Sequence, residues 1–367
     1  MNWWLLKDGV AIFAYVLTLL VFVWRLDAGR GTKCLWSICL FPAFFKLLLF
    51  KWLGLDLLSP DVPAVVEWIW SGFLVGAMVL CVLSVVFFFR FPGKTLILPV
   101  VSLGLAAWGG WNGVCLPEVK VVELEFPNLP SSLEGYRILQ ISDLHSSSAA
   151  QCWRTRAIVD AANEQKADLI CLTGDLADGP VARQAAHLVP LNELRSRDGV
   201  FACTGNHEYF YGFLEWKAFY ERLGIRFLEN ESVAPRPGLV LGGVPDPHGA
   251  ARGLDVAPDV HQAFALAGNG DFRVLLQHRP EHAGENAKKE NVSLQLSGHT
   301  HGGIAPGIRW MVARLNDGYA CGLYRHGDSV LYVSPGSGQC EWMPARFFNP
   351  SEITVFVLRR RKLQTDN

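Results

Sequence analysis

Charge is scarce in this sequence. Asp, Glu, Lys and Arg make up 18% of its 367 residues, against about 25% in an average soluble domain. The two signs nearly cancel, for a formal net charge of −1, so no global field argues for nucleic acid as a partner. No CxxC pair and no regular spacing occurs among the nine cysteines, which leaves no framework for a Cys-rich zinc site. Cys34, Cys39, Cys81 and Cys115 fall in an apolar N-terminal part, and Cys171 and Cys203 sit inside short apolar runs as small core hydrophobes. Cys152, Cys321 and Cys340 remain as exposed candidates, with a Cys321–Cys340 disulfide as one expectation, so cysteine usage leaves the compartment open. The first apolar stretch has no positive n-region before it and no small-x-small site after it. A cleaved signal peptide is therefore rejected.

What the chain has in quantity is hydrophobic sequence, 50% of all residues, concentrated between Trp3 and Pro117. Uncharged stretches from Trp68 to Phe89 and from Thr95 to Pro117 reach the ~20 residues that a bilayer-crossing helix needs. Gly9–Trp24 is slightly short, with Trp3 and Trp4 placed for an interfacial belt. Cys34–Leu55 is a fourth expected span, interrupted by Lys46 and Lys51, whose long side chains are expected to snorkel from near a helix end. Arg25, Arg30, Lys33, Arg90 and Lys94 would lie on one side of such a four-span region, against Lys7, Lys51 and Lys120 on the other. The excess favours the first set as cytoplasmic. The expectation is an integral protein of the inner (cytoplasmic) membrane whose C-terminal domain lies outside the cytoplasm. The domains are then 1–117, transmembrane, and 118–367, catalytic.

After Glu118 a pattern recurs in which a short apolar run ends in polar residues and glycine. Arg137–Ser142 leads to Asp143 and His145; Asp168–Thr173 leads to Gly174 and Asp175, with Asp178 beyond. Gly199–Thr204 leads to Gly205, Asn206, His207 and Glu208; Arg273–Gln277 leads to His278; Val292–Ser297 leads to Gly298, His299 and His301. Such runs read as buried strands, with 329–334 and 353–358 as further ones. Helical candidates at 149–165, 180–197 and 213–223 alternate with them, which predicts an α/β architecture. In such sheets ligands bind beyond the carboxyl ends of the strands, where every one of these clusters falls.

The candidate ligands are carboxylate, imidazole and one amide, a set for borderline to hard divalent ions such as Mn, Fe or Zn. Leu144 separates Asp143 from His145 and Thr300 separates His299 from His301, so in an extended chain each pair points one way. One such pair alone is more often a solvated turn. Half of the ten histidines falling in five clusters, each just after a strand, is hard to obtain by chance.

In this order DxH, GDxxD, GNHE, an isolated His and GHTH resemble the calcineurin-like metallophosphoesterases across the soluble domain, in a membrane-associated branch. His278–Glu281, Gly302–Gly303 and Val333–Gly338 are softer matches, and Ile304 stands where that branch usually has glutamine. The resemblance implies a β-sandwich of two mixed sheets flanked by helices, preceded by the transmembrane helices. It implies two divalent transition-metal ions, one on Asp143, His145, Asp175 and His301, the other on Asp175, Asn206, His278 and His299, with Asp175 bridging. His207 is implied as the catalytic acid. The expected activity is phosphoester hydrolysis, on a phospholipid or lipid-linked envelope substrate. The rival substrate is UDP-2,3-diacylglucosamine in lipid A synthesis, cleaved by a pyrophosphatase on the cytoplasmic side. The non-enzyme alternative is a membrane sensor or scaffold with an inactive site. Asp178, Glu208, Asp246, His248 and Arg279 flank the motifs and are candidates for substrate contact or support of the ligands. The basic tail Arg359–Lys362 is expected to be solvated.

Overall fold

A computed structural model describes residues 3–55, 62–87, 97–147, 151–254, 256–303, 305–339 and 345–361. Arg90 and Lys94 of the orientation argument, Ile304, Cys340 and Lys362 lie outside the described residues. The chain divides into two compact units at Val114 and Cys115.

The first unit is helical, as apolar sequence requires wherever water is not at hand to satisfy backbone groups. Helices run Trp3–Val21, Arg30–Phe44, Lys46–Trp52, Ala64–Val86 and Ile97–Val114. The last two are long and apolar enough to cross a membrane, and a shorter apolar helical stretch spans Gly9–Arg25. Phe13, Ile38, Phe73, Val82, Val100 and Trp111 are each more than half exposed, an apolar exterior that suits lipid better than water.

The expected span over Cys34–Leu55 is not one helix. Pro42 lies inside the Arg30–Phe44 helix, and at Phe45 the backbone leaves helical geometry (φ −100°, ψ 23°) before a new helix starts at Lys46. Nor does Lys46 snorkel. Its side chain is 1% exposed, with Nζ 2.5 Å from Glu67 Oε1 and 2.7 Å from Ser71 Oγ. A buried carboxylate one helix away offers more than the distant surface does, since an unpaired ammonium in apolar surroundings is costly.

Among the described residues the second unit has twelve strands. They are β1 (Glu118–Phe126), β2 (Arg137–Ile141), β3 (Leu169–Leu172), β4 (Val200–Ala202), β5 (Arg226–Phe227) and β6 (Glu231–Arg236). Then come β7 (Leu239–Gly243), β8 (Phe272–Leu276), β9 (Leu294–Ser297), β10 (Gly322–His326), β11 (Ser329–Val333) and β12 (Glu352–Arg360). They form two mixed six-stranded sheets, ordered β1-β12-β2-β3-β4-β5 and β10-β11-β9-β8-β7-β6. Alternation along β3 shows how they stack. Leu169 and Cys171 join Leu241, Val274, Leu276, Leu294 and Leu296 of the other sheet in one buried cluster. Ile170 and Leu172 face outward onto Ile158, Trp216 and Tyr220 from the helices Cys152–Glu164 and Phe213–Arg222. The sheet-to-sheet core is thus covered by helices, as the α/β reading requires. Gln140 is a buried polar residue in that core. Its amide donates to Thr173 Oγ1 and, across to the second sheet, to the Ser297 carbonyl, both at 2.9 Å.

Cys171 and Cys203 are buried as expected, while Cys152 and Cys321 are half-buried rather than exposed.

Candidate metal centre

β2, β3 and β4 of one sheet and β8 and β9 of the other end at Asp143, Asp175, Asn206, His278 and His299 in turn, so both sheets deliver side chains to one place. Three groups converge with their ligand atoms within 4.8 Å of one another: Asp143, His145 and His301; His145, Asp175 and His207; and Asp175, His278 and His299. Asp175 Oδ2 lies 3.2 Å from His278 Nε2, 3.8 Å from His145 Nε2 and 3.9 Å from His207 Nε2. It is the shared carboxylate.

The convergence is not made by extended chain. Asp143 and His145 have φ of 51° and 44°, His299 and His301 have 71° and 48°, and Asp175 has 53°. Left-handed backbone at five non-glycine residues costs free energy at each. The loops are held in it by bonds between motifs: Asp143 N–H donates to the Gly174 carbonyl, His145 N–H to the Asp175 carbonyl and Gly338 N–H to the Asp143 carbonyl. Two glycines are there because nothing larger fits. A Cβ on Gly205 would sit 2.1 Å from Asp175 Oδ1, and one on Gly298 would sit 2.2 Å from Asp143 Oδ2.

Polar neighbours fix the ring orientations. Asp178 Oδ1 accepts from Nδ1 of both His145 (2.9 Å) and His207 (2.6 Å), which turns both Nε2 atoms toward the centre. The Thr173 carbonyl can only accept, so His278 Nδ1, 2.7 Å away, carries the proton and Nε2 faces Asp175. Glu208 accepts the N–H groups of Gly205, Asp175 and Leu176 and so binds two motif loops together. Asp143 accepts from the Ser142 hydroxyl and the His299 N–H.

Electrostatics follow from this crowding. Burial disfavours the Asp175 carboxylate, but His278 and His207 beside it hold its pKa well below the ordinary range. Burial likewise opposes the His278 imidazolium, and the Asp175 carboxylate outweighs it, raising that pKa to about 10. His299 and His301 are pushed well down, first by burial, then by the cations nearest them, Arg279 and His145 respectively. Each half of the centre therefore sets an imidazole held from protonation, His301 or His299, beside a carboxylate, Asp143 or Asp175.

The donors fit divalent ions. His145 Nε2 and His301 Nε2 face each other at 3.1 Å beside Asp143, and His278 Nε2 and His299 Nδ1 do so at 3.2 Å beside Asp175. Asn206 Oδ1 is buried with no hydrogen-bond partner among the described residues, an acceptor that a cation would satisfy. Seven of the eight residues named from the sequence converge here by their ligand atoms, and Asn206 precedes His207 at the start of the helix Asn206–Phe210. Asp178 and Glu208 prove to support ligands and loops, and Asp246 binds Arg279. Ser142, Thr173 and Arg346 were missed. The buried Arg346 guanidinium donates to the Pro335 and Gly338 carbonyls, bracing the loop that meets Asp143. The signal available was a Ser or Thr closing four of the five runs that precede a motif (Ser142, Thr173, Thr204 and Ser297, but Gln277 before His278), and a lone Arg in an apolar stretch.

The family model described as calcineurin-like phosphoesterase matches residues 136–303. A metallophosphoesterase of Helicobacter pylori strain J99 is 34% identical over 259 residues, covering 70% of this chain and 68% of that protein. A zebrafish (Danio rerio) protein named as a transmembrane protein with metallophosphoesterase domain is 32% identical over 280 residues, covering 73% of this chain and 63% of its own. A metallophosphoesterase of Aquifex aeolicus is 29% identical over 242 residues, 66% of this chain but 91% of that protein. The 34% identity to the Helicobacter protein over more than two thirds of both chains, with the motif residues gathered at one place, is decisive: the chain belongs to the calcineurin-like phosphoesterase family and is a metal-dependent phosphoester hydrolase.

Proposed function

We propose that this chain is a membrane-anchored phosphoesterase using two divalent ions on a phospholipid or a lipid-linked phosphate. Residues 1–117 form the membrane region and 118–367 the catalytic domain. The observation that carries the reading is the pair of His/Asp groups sharing Asp175, in a chain that also has two helices apolar and long enough to span a bilayer. The near-complete match of the Aquifex relative to 66% of this chain supports a separable catalytic domain. The printed name of the zebrafish relative supports the membrane. Only residues 115–117 join the last apolar helix to β1, and a soluble substrate would gain little from so short a tether.

Asp143, His145, Asp175 and His301 would hold one ion, and Asp175, Asn206, His278 and His299 the other. Bound there, such ions supply Lewis acidity toward water and phosphoryl oxygen. The chain's own part is orientation and proton transfer. Asp178 aims His145 and stabilises a proton on His207, whose Nε2 faces the centre and is placed to protonate the leaving oxygen.

The test uses full-length protein purified in detergent with manganese, assayed on an aryl phosphodiester. It is expected to carry close to two ions per chain by elemental analysis. Asp175→Asn is expected to abolish turnover and deplete both ions. His207→Ala is expected to lower turnover about 10²–10⁴-fold with metal content near normal. An emptied site in His207→Ala would make His207 a ligand, and a parent protein without metal would end the proposal.

A further inference from the structure

Arg279 follows the ligand candidate His278 directly and, like His299, is only half-buried. Its guanidinium is held by one edge. Nε lies 2.7 Å from Asp246 Oδ2 and Nη2 lies 3.5 Å from Asp246 Oδ1, while Nη1 has no partner among the described residues. The carboxylate that holds it is itself fixed. Asp246 is buried, Oδ1 accepts the His248 N–H at 2.8 Å, and its own N–H donates to Thr204 Oγ1 at 2.9 Å. A planar guanidinium pinned by one edge presents the other in a fixed direction, the arrangement that recognises tetrahedral oxyanions.

The space around it gives that direction. A cavity of about 140 Å³ beside it is lined by His278, Arg279, Asp246, Gln277 and Glu281 with proline walls, so the space next to Arg279 borders the ligand candidate His278.

We propose that Arg279, oriented by Asp246, binds a non-bridging oxygen of the substrate's scissile phosphate on the His278–His299 side of the centre. This rests on the phosphoesterase reading of the same site and adds a substrate-binding residue to it. Charge grows on those oxygens as the phosphoryl group is transferred, so a fixed cation there stabilises the transition state beyond the ground state.

The experiment uses full-length, manganese-loaded protein in detergent, with bis(p-nitrophenyl) phosphate as substrate and inorganic phosphate as ligand in calorimetry. Arg279→Gln is expected to weaken phosphate binding at least tenfold and to lower kcat/KM about 100-fold, with metal content unchanged. Since Arg279→Gln leaves Asp246 buried and unpaired, the double variant Asp246→Asn/Arg279→Gln serves as the folding control and is expected to show the same losses. Arg279→Lys, which keeps the charge without the fork, should recover only part of the phosphate affinity. Phosphate binding within twofold of the parent in both glutamine variants would overturn the inference. Loss of metal from both would overturn it too, making Arg279 a support of the centre instead. A parent that binds metal and phosphate but hydrolyses no phosphodiester would count against the functional reading, while the phosphate titrations would still decide Arg279.

Discussion

At the scale of single residues, the centre depends on side chains that orient the ligand candidates from behind. Asp178 gives one oxygen to two imidazoles, so Asp178→Asn keeps the shape but loses an acceptor both rings need. Such outer partners are worth about 10–100-fold in metal affinity or activity, and a loss of that size is expected in manganese titrations and turnover together. His278 adds a proton competition. Its Nδ1 proton goes to the Thr173 carbonyl, while a second proton on Nε2 is favoured by Asp175, with a pKa near 10. A divalent ion at Asp175 must displace that second proton, so apparent metal affinity should rise about tenfold per pH unit between pH 6 and 8 for one proton released. Calorimetry in two buffers of different ionisation enthalpy reads both the affinity and the proton; a flat profile would show that His278 binds without giving one up. The ligand types were legible in the sequence because each follows an apolar run. The Arg279–Asp246 pair was not, since its members are 33 residues apart and nothing in either neighbourhood points to the other.

At the scale of elements, apolar runs found the buried strands β2, β3, β4, β8, β9 and β11 to within a residue or two. They missed β1, whose residues 118–121 are all exposed, β10, which alternates between half-buried and exposed, and β5 and β6, also at sheet edges. A strand on the edge of a sheet lacks the apolar run that marks a central one. β7 was missed although all five of its residues are buried, because two of them are glycine. Lys46 illustrates the same limit among the helices. Read locally it is a lysine interrupting a span; in the fold it is one half of a buried pair with Glu67. Lys46→Met alone strands the carboxylate and is expected to destabilise the helical unit by about 3–5 kcal/mol. Lys46→Met/Glu67→Leu removes both charges and should return to within about 1 kcal/mol of the parent or exceed it. Denaturation of the detergent-solubilised protein measures the cycle; equal costs for the single and double variants would mean the pair contributes nothing by being paired.

At the scale of the whole molecule, the proposed membrane anchor raises the matter of which side the catalytic domain would occupy. Arg25, Arg30 and Lys33 follow the first apolar helix, and the proposed orientation holds them in the cytoplasm by charge asymmetry. With the proposed four crossings the C-terminus would then be outside. C-terminal fusions to one reporter active only outside the cytoplasm and another active only inside should give signal from the external one. Signal from the internal reporter alone would reverse the topology, which the break at Phe45 makes a real alternative, and would promote the cytoplasmic nucleotide-lipid pyrophosphatase reading. What the sequence by itself determined is the inventory: apolar helices first, then strands that each end in a metal-ligand type, because hydrophobic runs and ligand chemistry are local properties of the chain. Only the tertiary structure decided that β12 inserts between β1 and β2, that two sheets share one centre, and that Asp178, Glu208 and Asp246 act on partners in other motifs. These are pairings across many tens or hundreds of residues, set by which faces can be buried together, and no local pattern records them.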